Sequence, residues 1–115
     1  MRLNKLLVVL AFSMFFGSGI AVAADYDKGL KAYQSGGYVA ALAEFLPLAE
    51  QGDAASQFYL GRMYANGEGV LESDKVALMW YTLAAEQGDA YSQYNLGTMY
   101  EKEAINVALF DTHSV

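Results

Sequence analysis

The side chains of this 115-residue chain that first suggest acid–base or metal chemistry are a single histidine, His113, and thirteen carboxylates; there is no cysteine. Catalysis needs a nucleophile beside a base, a paired acid and base, or a metal cluster. His113 stands third from the end of the sequence with no metal-ligand constellation around it, and a terminal segment of this kind is expected to fray. The carboxylates are scattered. Asp53 and Asp89 each follow a glycine and are suited to capping helices, while Glu50 and Glu86 fall in last helical turns and read as solvated. Gly67-x-Gly69-Val70 has the spacing of a phosphate-binding loop, but no strand precedes it and no lysine follows where the phosphates would need one. It reads as a turn between helices with Val70 tucked into the core. Trp80 and Tyr81 read as core and groove packing rather than a ligand box. No catalytic, cofactor-binding or metal-binding residue is assigned, and no cofactor is expected.

A different constellation comes from repetition. The hexapeptide AEQGDA occupies 49–54 and again 85–90, and residues 49–64 match 85–100 at 12 of 16 positions. The mismatches are Ala55/Tyr91, Phe58/Tyr94, Tyr59/Asn95 and Arg62/Thr98, with Ala65/Glu101 next outward. Their spacing, i, i+3, i+4, i+7 and i+10, is one face of a helix. The face that keeps its identity is expected to pack unit against unit, and the varying face is free to bind. Tyr26 and Tyr33 would extend that face into the first unit. The candidate protein-binding surface is therefore Tyr26, Tyr33, Phe58, Tyr59, Arg62, Tyr91, Tyr94 and Thr98, aromatics with an arginine among them, as binding surfaces favour. The competing reading is that the aromatics only pack between neighbouring helices.

A period of 36 residues is that of helical hairpins stacked into an array, each burying its apolar side against its neighbours. Gly52 and Gly88 suit the left-handed backbone that ends a helix, and Asp53 and Asp89 can start the next. One helix is expected over 54–65, stopped by the turn residues Asn66 to Gly69, and another over 74–87 capped by Ser73. Upstream, 38–53 aligns with 74–89 without a gap, preceded by a partner helix over 26–34 and a shorter turn at 35–37. Pro47 lies inside a helix at a cost of about 3 kcal/mol, so a bend is expected there. Gly29, Gly61 and Gly97 sit inside helices at about 1 kcal/mol each relative to alanine, which points to close helix contact.

Leu60-Gly61-x-Met63-Tyr64, Gly67-x-Gly69-Val70, Trp80-Tyr81 and Ala84-Ala85-Glu86-Gln87-Gly88 together resemble the Sel-1-like repeat, a relative of the tetratricopeptide repeat with a longer inter-helix loop. The chain departs from the pattern at Ser73, where the family usually has aspartate, and at Val76, usually charged. The resemblance implies an all-α fold, a short right-handed α-solenoid of stacked hairpins with about five helices. It also implies a scaffold that assembles protein complexes. Some cysteine-rich relatives are credited with hydrolysing β-lactams, but a chain without cysteine or an assigned base does not carry that reading over. The resemblance runs to about Lys102, so the last repeat reads as incomplete, and a truncated copy of a longer repeat protein with little function of its own is the alternative to an adaptor.

Arg2 and Lys5 ahead of the apolar run 6–16, a glycine break at 17–19 and the small residues Ala21-Val22-Ala23 read as a secretory signal peptide. An uncleaved membrane anchor is the minority reading. The expected organisation is a signal peptide over 1–23, a repeat domain over 24–102 and a divergent tail over 103–115. Removing 1–23 takes two basic residues and no acidic one, leaving five against thirteen and a net charge of −8. Such a surface disfavours nucleic acid and favours basic or neutral partners. The expected function is an adaptor in the periplasm or secreted space that binds a protein or peptide on the concave face. Leu96, Met99 and Tyr100 on the last helix need cover, which a weak homodimer through that end would supply.

Overall fold

The computed structural model describes residues 23–113, and these form five helices with no strand among them: α1 Tyr26–Gln34, α2 Tyr38–Glu50, α3 Ala54–Asn66, α4 Asp74–Glu86 and α5 Ala90–His113. The expected signal peptide lies outside the described residues except for Ala23. Each helix packs on its neighbours in sequence, with a lighter contact between α3 and α5. The 36-residue repeat is visible in the boundaries. Helices α2 and α4 begin at 38 and 74 and end at 50 and 86, and α3 and α5 begin at 54 and 90.

The caps explain these boundaries. Asp53 accepts from the Ser56 amide at 2.9 Å, Ser73 from Val76 at 3.2 Å, Asp89 from Ser92 at 2.8 Å and Asp25 from Lys28 at 3.2 Å, each satisfying a donor that the helix itself cannot. Gly52 and Gly88 take φ of 103° and 95°, a backbone that reverses the chain in one residue and that a side chain would oppose. Pro47 does not end α2, which runs on to Glu50, and the Pro47 carbonyl still accepts from the Gln51 amide at 3.1 Å.

The core is Ala41, Phe45 and Ala49 from α2, Leu60 and Met63 from α3, and Trp80 from α4. Alternation of alanine with one large residue per turn lets α2 and α4 close on α3 from either side. Two of the three helical glycines follow the close-contact expectation. A Cβ on Gly29 would meet the Phe45 ring at 3.0 Å, and one on Gly61 would meet Tyr81 at 2.5 Å. Gly97 departs from it, because nothing among its surroundings lies within 4 Å.

At its far end α5 differs from a frayed tail. It passes Lys102 without a break and reaches His113, since no glycine or proline interrupts residues 98–113. From Glu101 to Asp111 its residues are exposed, including Ile105, Val107 and Phe110.

Candidate protein-binding groove

The first helices of the hairpins, α1, α3 and α5, carry a connected run of aromatic rings. Tyr26 of α1 meets Tyr59 of α3 edge-on at 6.3 Å, Tyr59 meets its neighbour Phe58 at 5.2 Å, and Phe58 meets Tyr91 of α5 at 5.7 Å. Tyr33 joins from the side, 5.1 Å from Tyr59. Separations of this order with tilted planes suit the ring quadrupole. The run is anchored from below, because Tyr59 stacks on the buried Phe45 at 4.9 Å with planes 9° apart.

Arg62 lies one turn beyond Phe58 on α3. Its guanidinium sits 5.5 Å from the Tyr33 ring centre and 6.0 Å from that of Phe58, within the range of cation–π attraction. The Tyr33 hydroxyl donates to Glu68, at 3.0 and 3.2 Å to the two carboxylate oxygens. Burial and then this bond push the Tyr33 phenol up to about 12, against a smaller opposing pull from Arg62. The Tyr38 phenol is raised by the same Glu68 carboxylate. Tyr81 reaches about 12 chiefly through burial, and burial is also the main cause for Tyr26. These phenols stay neutral at physiological pH, able to donate a hydrogen bond but carrying no charge.

Glu68 reaches Tyr33 because of the loop that holds it. Gly67 and Gly69 have φ of 68° and 72°, and a Cβ on Gly69 would come within 2.9 Å of Tyr38. The loop therefore lies against the start of α2 and delivers its central carboxylate across to α1. The Glu68 amide is tied back to the Met63 carbonyl at 2.8 Å, and Asn66 donates to its carboxylate at 3.0 Å.

Between α3, α4 and α5 the surface opens into a groove of about 920 Å³ lined by Phe58, Arg62, Tyr81, Tyr91, Tyr94 and Thr98, among others. Tyr91 and Tyr94 stand 73% and 72% exposed, and of the two Tyr91 touches the Phe58 ring. Lys75 and Lys102 also line the groove, as do Asp74 and Glu103. Three of the five basic side chains in residues 24–115, Arg62, Lys75 and Lys102, thus converge here, although the chain as a whole is acidic. Among the described residues no three histidines or acids group as a metal site would require, and no helix is long and apolar enough to cross a membrane.

The Sel1 repeat model matches residues 54–89 and again 90–105. The chain carries Sel1 repeats over residues 54–105. The first match spans α3, the Gly67–Gly69 loop and α4; the second takes in the first 16 residues of α5. Sel1 repeats are generally modules of protein–protein interaction, and the family is generally non-catalytic. No curated protein and no solved structure matches the chain.

Within this Sel1 array the eight residues singled out by repeat mismatch fall into two groups. Tyr26, Tyr33, Phe58 and Tyr59 are half-buried and pack ring on ring between helices, whereas Arg62, Tyr91, Tyr94 and Thr98 are exposed and line the groove. The Thr98 hydroxyl turns back to the Asn95 carbonyl at 2.8 Å. Sequence reasoning passed over Glu68, the carboxylate that orients Tyr33. A signal was present, since the loop of the second hairpin is four residues longer than that of the first and sets an acid between two glycines.

Proposed function

We propose that the chain is an adaptor that holds an extended or helical protein segment in the groove between α3, α4 and α5. The observation carrying this reading is the pair Tyr91 and Tyr94. Two large aromatic side chains stand nearly three-quarters exposed in a groove that the Phe58 and Tyr81 rings also line. Exposed rings of this kind contribute little to folding and supply rigid contact area at low entropic cost, which is why tyrosine and arginine dominate the energetics of protein interfaces.

The charges refine the partner. The acidic total favours basic or neutral proteins at long range, but Arg62, Lys75 and Lys102 at the groove suit a segment that is mainly apolar with an acidic side chain or two. The basic start, apolar run and Ala21-Val22-Ala23 of the sequence support export, and hence an adaptor of the envelope or the secreted space.

Peptides selected on the chain from a random display library test the reading when their footprint is mapped by hydrogen exchange. Protection of α3 and α5 amides around Phe58 and Tyr94 is the expected result. Protection confined to α2, or no selectable peptide, would refute the groove as the binding surface.

A further inference from the structure

Where the chain enters α1 it runs along an acidic nook. The Asp25 amide donates to Glu44 Oε2 of α2 at 2.8 Å, across 19 residues of sequence, and Lys28 Nζ lies 3.4 Å from Glu44 Oε1. The Glu44 side chain is 17% exposed against 74% for Lys28, so the lysine reaches in from solvent to a carboxylate held inside. Its stem is fixed as well, because Gly29 lets α1 lie so near that a Cβ there would come within 3.0 Å of the Glu44 Cβ. Just ahead, a cavity of about 510 Å³ is lined by Ala23, Ala24, Asp25, Tyr26 and Asp53, among others. Behind burial and Tyr59, Asp53 and Asp27 also raise the Tyr26 phenol. Asp25, Asp27, Glu44 and Asp53 thus gather around residues 23–26, and Lys28 is the one cation among the residues named. Asp25 and Asp53 have local work, accepting from the Lys28 and Ser56 amides of their own helices. Glu44 instead reaches across from α2 to a backbone nitrogen.

We propose that this nook is the seat of the chain's own α-ammonium group once the signal peptide is removed, with Glu44 as its ionic partner. For its occurrence in the cell the inference rests on the export reading above. Cleavage after Ala24 puts the ammonium on Asp25, at the nitrogen that already lies 2.8 Å from Glu44; cleavage after Ala23 puts it one residue earlier, beside the cavity that Asp25 and Asp53 line. In the precursor the Asp25 nitrogen is a neutral amide, so its bond to Glu44 carries one charge instead of two. Charge on both partners shortens and strengthens a hydrogen bond, and a carboxylate mostly withdrawn from solvent is screened less than a surface one. Helix α1 has nine residues and stands at the end of the array, where local opening costs least. Processing therefore tightens the α1–α2 hairpin with an ion pair that the precursor lacks.

The test compares the chain that begins at Asp25 with its Nα-acetylated form, which keeps the N–H but not the charge, each with and without Glu44→Gln. By NMR titration the free α-amine is expected to lose its proton above the ordinary value of about 7.7–8.0, because Glu44, with Asp25, Asp27 and Asp53 around it, outweighs Lys28. Glu44→Gln is expected to bring it back toward that value. A raised amine contributes stability that is fully present below the ordinary value and is lost as the pH rises through the folded one. The free form is therefore expected to melt about 2 °C or more above the acetylated form near pH 6.5, with the two converging by about pH 10, and Glu44→Gln is expected to shrink the gap at least twofold. Each gap is read within one background, so a general loss of stability in Glu44→Gln does not hide the result. An amine that titrates at the ordinary position, equal melting near pH 6.5, or a gap that Glu44→Gln leaves intact overturns the proposal. These chains are made without a signal peptide, so failure of export in a cell would count against the export reading alone, whereas an ordinary amine removes the nook whatever the cell does.

Discussion

The Tyr81 ring occupies the space that a side chain at Gly61 would need: a Cβ there would sit 2.5 Å from both Cδ1 and Cε1. The ring is rigid and Tyr81 is 4% exposed, so it has little room to swing away. Gly61→Ala is expected to lower stability by about 1–3 kcal/mol through overpacking, even though alanine is the better helix former. Gly97→Ala, at the matching position of the repeat but with nothing to strike, is expected to gain up to about 1 kcal/mol. Denaturant melts of the two variants give the comparison, and the same sign for both would disprove the account of the two faces.

Trp80 joins α4 to the core and is 8% exposed. Its replacement by alanine is expected to cost about 3–5 kcal/mol, enough to unfold a small array. Arg62 is exposed and held only by the Tyr33 and Phe58 rings, so Arg62→Ala should cost no more than about 1 kcal/mol. A thermal melt in which Arg62→Ala is as damaging as Trp80→Ala would show that the arginine has a structural role.

Glu50 ends α2 partly buried, and burial raises its carboxyl above the ordinary value of 4.5. With the folded pKa raised, its contribution to stability is fully present below 4.5 and is lost as the pH rises through the folded value. Glu50→Gln removes that dependence. It is expected to melt higher than the wild type at neutral pH, with the difference vanishing below the ordinary value, and a variant no more stable than the wild type at pH 7 would contradict the burial argument.

Tyr33 donates to Glu68 and ionises near 12. Tyr33→Phe should remove a late-titrating phenol from the ultraviolet absorbance titration and cost about 0.5–1.5 kcal/mol, the usual net contribution of one hydrogen bond. Loss of a phenol that titrates at the ordinary position would mean that the Glu68 bond is absent in solution.

Expression in a bacterial host followed by intact mass of the soluble fraction addresses export. The expected product lacks residues 1–23, or 1–24 if cleavage follows Ala24. Recovery only in membranes at full mass would favour the uncleaved anchor.

Most of the fold could be read from the repeat, because the devices that set helix boundaries are local. Gly52 with Asp53, Gly88 with Asp89, and Ser73 act within a few residues of themselves, and each does in the structure what its type implies. The close approach at Gly61 was legible for the same reason, but the empty flank of Gly97 was not. The two glycines share the flanking residues Gln57/Gln93, Leu60/Leu96, Met63/Met99 and Tyr64/Tyr100, and the absence of a close neighbour at Gly97 is not written in them. The candidate surface was legible as a face but not as a division of labour. Phe58 and Tyr94 are equivalent by repeat, yet one is half-buried among rings and the other open, since Phe58 has α5 beyond it and Tyr94 does not. Glu68 acts across 35 residues of sequence, a distance over which neither propensity nor periodicity speaks.

The claim that α3, α4 and α5 form a protein-binding groove is tested most directly by the dissociation constant of one library-selected peptide for three forms of the chain. These are the wild type, the double variant Tyr91→Ala/Tyr94→Ala, and Val39→Ser, which alters an exposed apolar residue on α2 away from the groove. All three are expected to melt alike, because the altered side chains are at least 72% exposed. The account predicts that the double variant binds at least tenfold more weakly, a loss of about 1.4 kcal/mol or more, while Val39→Ser binds as the wild type does. Equal affinity for the wild type and the double variant would contradict it.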